Sequence, residues 1–482
     1  MKTNENGEDP EVISVEDKER LMQEVIRQVL ARLGTEAANG TGTSRFGFDN
    51  VDAAVTACEK AQKSWQWDFS LEQRIRIVNG LREDLLQEDS LEEVSRLALE
   101  ETGMGRLDDK ILKKRLAVEK TPGPEYFTTR AISGDHGLVL EELSPFGVIA
   151  SITPSTNPVA SVYNNTICMI SGGNGVVFAP HPGAVKCSLR AVELVAHSLA
   201  KRGAPEGLVV TLTQPSMENL KALMAHRTVR LIAATGGPGV VKAALSSGKP
   251  AIGAGPGNPP VVVDETADIR KAARDVILGC SFDNNLPCIA EKELFVVNCV
   301  ADELKKHMLD QGAFELKEPD LVKRLQELVL NPDHSVNRSM VGKSAPYYLE
   351  KLGIKVGANV RVVLVETTED HPFVQEELLM PILPLVRVAD FDEALCASLR
   401  AEHGFRHSAA IHSTNITHMS RMARAMETTI FTKNAPSFAS IGVGGDCPTA
   451  FTIATTTGQG PTTPLSFCRT RRCVLAGAFR II

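Results

Sequence analysis

Short runs rich in β-branched residues alternate with amphipathic stretches along most of this chain, and this alternation limits its fold more than any other feature. "GVIASITP", "NGVVFAP", "LVVTLTQ", "VRLIAATGG" and "PPVVVDE" read as strands. "AVKCSLRAVELVAHSLAKRG", "MENLKALMAH" and "VVKAALSSG" read as the helices between them. Strands linked by helices at this spacing form βαβ units, which build a largely parallel sheet. A second alternating block runs from about 268 to 435, and "GLVLEEL" (137–143), "AFTIATT" and "RRCVLAGAFRII" read as separate strands. Ahead of the first sheet, "VDAAVTACEKAQKSW", "SLEQRIRIVNGLREDLLQ" and "SLEEVSRLALEETGMG" read as helices. The third starts at a Ser cap with Glu93 three residues on, and closes at Gly103 and Gly105. A chain of 482 residues has room for two or three domains with large cores.

Charge and composition exclude several classes of function. A net charge of −7 argues against nucleic acid or an anionic membrane as the main partner. No apolar run approaches the roughly 20 residues of a membrane helix. The N-terminus, "MKTNENGEDPEVISVEDKER", is polar and acidic, unlike a secretory signal. The 10 cysteines are scattered without a C-x-x-C pair, which suits a reducing cytoplasm.

Residues 18–33 carry the sharpest helical period. Leu21, Val25, Val29 and Leu33 form one ladder, with Met22, Ile26 and Leu30 beside it. The next segment, "GTEAANGTGTS" (34–44), has no large apolar residue and reads as a flexible linker. The apolar stripe either folds back onto the main body or docks on a partner.

Four loops carry candidate chemistry. In "SFDNNLPCIAEKELFVV" (281–297), Cys288 follows a polar turn and precedes a buried run, a place for a nucleophile as well as for a packing thiol. "ATGGPGVV" (234–241) ends a strand and opens a helix, where free N–H groups attract phosphate. "GAGPGNPPVVVD" (253–264) is a loop whose backbone approaches something closely. "ITPSTNPVAS" (152–161) places Asn157 at a strand end, where an amide can stabilise an oxyanion or simply begin a turn.

Together with "ETGMG", "SPFGVIASITPSTNP", "FAPHPGA", "SFDNNLPCIAEK", "MPILPLV" and "RTRRCVL", these stretches resemble the aldehyde dehydrogenase superfamily, in its CoA-acylating branch. Within that branch they are most similar to the propionaldehyde and acetaldehyde enzymes of bacterial microcompartments. The resemblance implies an α/β fold with a Rossmann-type cofactor domain, an α/β catalytic domain and a small β oligomerisation arm. It implies cofactor-domain segments at 48–129 and 144–262, a catalytic domain at 263–435, and an arm from 130–143 and 450–482. Residues 1–33 then correspond to a polar N-terminus with an encapsulation-type helix, tethered by a linker over 34–47 and docking on a shell protein through 18–33. The implied location is cytoplasmic, within a microcompartment lumen, as a homo-oligomer (dimer or tetramer).

The same resemblance makes Cys288 the nucleophile and Asn157, with the Cys288 backbone N–H, the oxyanion hole. Gly236 and Gly237 would take the pyrophosphate of NAD, with Thr235 and Gly255 in the same loops. Thr153, Pro154, His181 and Gly183 would line the cofactor groove, and Glu377 would hold the nicotinamide ribose. CoA is the implied co-substrate, with a short-chain aldehyde, and no metal is implied.

Three departures from the superfamily pattern bear on the chemistry. Gly253 stands where hydrolytic members carry a general-base Glu. Water, with a pKa of about 15.7, needs that base, whereas a thiol of pKa about 8.5 is already partly ionised near neutrality. The missing Glu therefore fits acyl transfer to CoA, with a hydrolytic enzyme and a non-catalytic scaffold as the rival readings. "APHPG" replaces the adenosine-ribose motif, and Asp446, Cys447 and Pro448 stand where Glu-Gly and an aromatic are usual. Glu291, three residues after the thiol, reads as surface or ion-paired ahead of the alternative of a proton shuttle, His407 and His412 as structural, and the basic "RTRRCVL" as a subunit contact.

Overall fold

The computed structural model describes residues 46–482. The docking helix at 18–33 and the linker at 34–44 lie outside the described residues. The first sheet has six strands, all parallel. Their order is Gly47–Phe48, Val209–Leu212, Gly175–Ala179, Val148–Ile152, Val229–Thr235 and Ala251–Ala254. Val148–Ile152 and Gly175–Ala179 are buried at every position, as strands covered on both faces must be. From Val148–Ile152 the chain first builds outward on one side and then returns to build on the other. The order therefore reverses between Val148–Ile152 and Val229–Thr235. The crevice at the carboxyl ends of two such strands is where open α/β sheets bind ligands.

The second sheet has seven parallel strands, ordered Ala313–Glu315, Val362–Thr367, Ile382–Val388, Glu293–Val297, Pro260–Val263, Ser408–His412 and Ile430–Lys433. Here the structure differs from the sequence-based boundary at 262. Pro260–Val263 is an inner strand of this second sheet, between Glu293–Val297 and Ser408–His412. Only residues 255–259 separate it from Ala251–Ala254. A return to the same parallel sheet needs a crossover of a dozen or more residues, so the chain passes to a new sheet instead.

The third sheet is antiparallel and joins Arg130–Gly134, Gly137–Pro145 and Cys468–Ala476. Arg472 faces Glu141 across it, with Nε 2.9 Å from the carboxylate. Residues 450–467 do not belong to this sheet. Ile453–Ala454 pairs with Gly460–Pro461, and Thr457 Oγ1 accepts from the Gly253 N–H at 3.1 Å, so this hairpin lies on the edge of the first sheet.

Local signals explain the helix ends. Gly103 closes Glu88–Thr102 in the left-handed region, at φ 63°. That helix begins before the expected Ser90 cap, at Gln87 and without a side-chain cap bond. Glu88 and Asp89 occupy its first turn, where negative charge suits the exposed N–H groups. The capping box appears instead on Leu71–Leu85, between Ser70 and Gln73.

Candidate active site

Cys288 sits on a loop wound more tightly than its sequence suggests. Asp283, Asn284 and Asn285 all have left-handed backbones, at φ 46°, 54° and 67°. Non-glycine residues adopt this region at a cost, so the surroundings must hold them there. Asn285 Nδ2 donates to the carbonyls of Cys280 and Glu291, both at 2.9 Å. Asn284 Nδ2 donates to the Gly342 carbonyl at 2.9 Å. The strongest restraint is Lys292, which is buried and whose Nζ donates to Asn285 O (3.0 Å), Asn285 Oδ1 (2.5 Å) and Pro287 O (3.3 Å). A buried ammonium with all three protons placed is a rigid pin. It leaves Cys288 partly exposed at the tip of a fixed loop.

Asn157 belongs to the first sheet, on the loop after Val148–Ile152. It precedes the helix Pro158–Ser171, in which every residue is buried. An Asn at a helix start usually caps it, yet this side chain makes no capping bond. Its Oδ1 accepts from Lys113 Nζ at 2.5 Å instead, and Lys113 also pairs with Asp283 at the start of the cysteine loop.

Thr153, Pro154 and Asn157 follow the strand Val148–Ile152, and His181 and Gly183 lie on the turn after Gly175–Ala179. Thr235 ends Val229–Thr235, Gly236 and Gly237 follow it, and Gly255 follows Ala251–Ala254. All eight groove residues and Asn157 thus share the carboxyl edge of one sheet, with Thr153, Pro154, Asn157, Thr235, Gly236 and Gly237 at the reversal point. Three observations fit a dinucleotide there. Thr153 is 2% exposed, and its Oγ1 is buried without a hydrogen-bond partner among the described residues. A Cβ added to Gly236, Gly237 or Gly239 meets no protein atom within 4 Å, so the protein alone does not demand these glycines. Gly237 is the N-cap of Pro238–Leu245 and offers no side chain, which leaves that helix start to an outside anion. His181 and Gly183 are exposed, with the Gly183 N–H donating to His181 Nδ1 at 3.0 Å.

Glu377 reaches the site from the loop before Ile382–Val388. The Gly257 N–H donates to its carboxylate, which ties the glycine-rich 253–259 loop to it. Burial pushes the Glu377 carboxyl up to about 7, against the pull of Lys292. Burial and Glu377 push the Cys288 thiol up to about 12, while Lys292, its own backbone N–H and Lys113 pull it down. Burial therefore holds the Cys288 thiol well above an ordinary thiol in the free protein. Glu377→Gln removes the negative charge facing the sulfur, so the thiol becomes more acidic. The thiolate fraction at pH 8 then rises, and alkylation of Cys288 accelerates by about tenfold for each pH step that the thiol titration moves down. A pH profile of iodoacetamide inactivation checks this, and an unmoved profile removes Glu377 from the electrostatics of the thiol.

The other sequence candidates make no hydrogen bond to the sulfur among the described residues. Glu291 is buried rather than on the surface, and it accepts from Ser437 N (2.8 Å) and Ser437 Oγ (2.6 Å), holding the 437–441 turn. His412 is buried on the strand Ser408–His412. His407 packs on the 253–259 loop, where a Cβ at Gly257 would come within 2.6 Å of its ring, and its Nε2 has no partner among the described residues. Asp446, Cys447 and Pro448 are exposed on a turn whose Gly442 and Gly445 carbonyls accept from Lys120 Nζ at 2.6 and 2.7 Å. A Cβ at Gly253 would lie 2.9 Å from Val241 Cγ1 and near Thr456 and Thr457. Gly253→Glu is thus expected to lower the melting temperature without adding free-acid release, measured by thermal denaturation and product chromatography. A well-folded variant that makes acid would show that the loop can open around the new carboxylate. Sequence reasoning did not single out Lys113, Asp283 or Lys292. The signal available was a lysine-rich helix, "LDDKILKKRLAVE", with Lys110, Lys113 and Lys114 all buried.

The aldehyde dehydrogenase family pattern matches residues 38–318 and 350–445. A propanal dehydrogenase (CoA-propanoylating) of Citrobacter freundii is 44% identical over 470 residues, 97% of this chain and 100% of its own length. The crystal structure of Rhodopseudomonas palustris propionaldehyde dehydrogenase, with bound CoA and an acylated cysteine, is 51% identical and superposes with a TM-score of 0.89 over 92% of this chain and 100% of that one. A propionaldehyde dehydrogenase from the fucose utilisation microcompartment of Clostridium phytofermentans is 47% identical, with a TM-score of 0.89 over 91% of this chain and 100% of that one. With the fold, the reversal-point groove and this extent of similarity in agreement, the chain belongs to the aldehyde dehydrogenase family.

Proposed function

We propose that this protein oxidises a short-chain aldehyde, propionaldehyde in the first place, to its CoA thioester with NAD+ and CoA. The observation that carries the reading is the pairing of a partly exposed thiol on a pinned loop with an amide whose oxygen is already engaged. Cys288 attacks the carbonyl carbon and forms a C–S bond. The carbonyl oxygen becomes an oxyanion and takes hydrogen bonds from Asn157 Nδ2 and the Cys288 N–H. Thr153, Gly236, Gly237 and Glu377 would hold the dinucleotide, which would supply the acceptor for the hydride that leaves the same carbon. Cys288 then holds the acyl group as a thioester, and the CoA thiolate displaces it. One thioester replaces another, so the sequence runs in both directions.

The absence of a glutamate at 253 favours CoA over water as acceptor. Partial burial keeps the resting thiol protonated, so the pull of Lys292 and Lys113 supports its ionisation when the aldehyde arrives. NADH formation with C2 to C4 aldehydes, with and without CoA, tests the reading. A CoA-dependent rate that peaks at C3 supports it. Equal rates without CoA, with free acid as product, overturn it in favour of hydrolysis.

The arm sheet supports self-association. Ile132, Val474 and Leu475 are exposed on it at 45%, 62% and 44%. Apolar side chains on an open sheet favour cover by a second copy. Residues 18–33 are proposed to dock on a shell protein and bring the enzyme into a microcompartment lumen, the setting of the Clostridium phytofermentans relative. Among the described residues no helix is long and apolar enough to cross a membrane.

A further inference from the structure

We infer that Lys113 is a positioning residue of the oxyanion hole: its buried ammonium fixes which way the Asn157 amide faces and ties that amide to the nucleophile loop. The inference rests on the assignment of Asn157 given above. Lys113 lies on the helix Leu107–Glu119 and is 2% exposed. Its Nζ touches both halves of the site, Asn157 Oδ1 at 2.5 Å and the carboxylate of Asp283. An ammonium only donates, so the atom of the amide that meets it must be the oxygen. The NH₂ branch is then left to point elsewhere, and its only hydrogen-bond acceptor among the described residues is Thr156 Oγ1 at a long 3.4 Å. Burial draws the Lys113 ammonium down to about 8; below that pH an amide flip would set NH₂ against a buried cation, so one orientation is enforced and the donor stays available for the developing oxyanion.

Asp283 makes this a link between segments and not a local contact. It is fully buried, five positions before the nucleophile, with a left-handed backbone. Its Oδ1 accepts from the Arg106 N–H at 2.7 Å, and its Oδ2 also pairs with Lys110 at 3.3 Å. Asp109 Oδ2 accepts the Asp283 N–H at 2.9 Å. The helix Leu107–Glu119 thereby grips the start of the cysteine loop and the oxyanion amide with one cluster. The cation also polarises the amide, and it pulls the Cys288 thiol down as well.

The test is a double-mutant cycle on full-length enzyme, read as single-turnover hydride transfer with saturating aldehyde. Lys113→Met keeps the length of the side chain and leaves Asp283 paired with Lys110, so the loop retains an ionic contact. It should slow hydride transfer on the order of 10- to 100-fold, the range for losing a charge-assisted bond, with dinucleotide affinity unchanged. Lys113→Gln restores a neutral donor and should recover part of the rate, and it also serves if the Met variant folds poorly. In an Asn157→Ala background the Lys113 substitutions should cost less than about threefold, because residues acting through one contact are not additive. Equal factors in both backgrounds overturn the linkage and give Lys113 a separate role. An Asn157→Ala enzyme at the wild-type rate overturns the oxyanion assignment itself, and the single variant reveals that independently of Lys113.

Discussion

Cys288→Ala is expected to abolish CoA-dependent NADH formation, lowering turnover by several orders of magnitude. Loss of a covalent nucleophile leaves only binding and the oxyanion donors, and such residual rates fall by factors of about 10⁴ to 10⁶ in comparable systems. The fold should survive. The loop is held by Lys292 through Asn285 and Pro287, and none of these bonds uses the sulfur. Dinucleotide affinity should survive as well, because the Thr153 and Gly236 edge belongs to the other sheet. Mass spectrometry of enzyme mixed with acyl-CoA gives the second readout. The wild-type chain should gain one acyl group and the variant none. Several of the other thiols are exposed, Cys299, Cys396, Cys447 and Cys473 among them, so a variant that still acylates and turns over would move the chemistry to another cysteine.

Asn157→Ala should lower kcat by about 10²- to 10³-fold, since one oxyanion donor contributes roughly 3–4 kcal/mol in the transition state. Its effect on KM for the dinucleotide should be small. The substitution also strips the acceptor from Lys113, which remains paired with Asp283. A buried cation that keeps its anion does not force unfolding, so the rate loss can be read as chemistry. Stopped-flow measurement of the hydride step decides the matter. A variant whose hydride step matches wild type would exclude the amide from the hole.

Much of the fold was legible because its signals are local. β-branched runs of four to seven residues became strands in nearly every place they occur, since a parallel strand covered on both faces has no polar position to blur the pattern. The glycine at 103 ended its helix for the same local reason. The start of that helix differs from the sequence-based one because Ser90, its third residue, and Glu93 imitate a capping box inside a helix already begun. The boundary near 260 was misplaced because a strand's composition does not say which sheet it joins.

The sequence by itself determined the kind of chain this is: two helix-covered parallel sheets, a thiol at a turn, and an Asn and two glycines at strand ends. These follow from backbone sterics, hydrophobic period and chain connectivity, all of which act between near neighbours. The tertiary structure alone decided how those groups are charged and aimed. Lys113 meets Asn157 across 44 positions and Asp283 across 170, and Glu291 finds Ser437 across 146. Glu377 raises the thiol from the loop before the neighbouring strand, 89 positions away in sequence, and Lys292 closes the loop around it. Electrostatic energy depends on distance and burial, not on separation along the chain. The reacting groups could therefore be named from the letters, while their ionisation and orientation appear only when the sheets bring distant segments together.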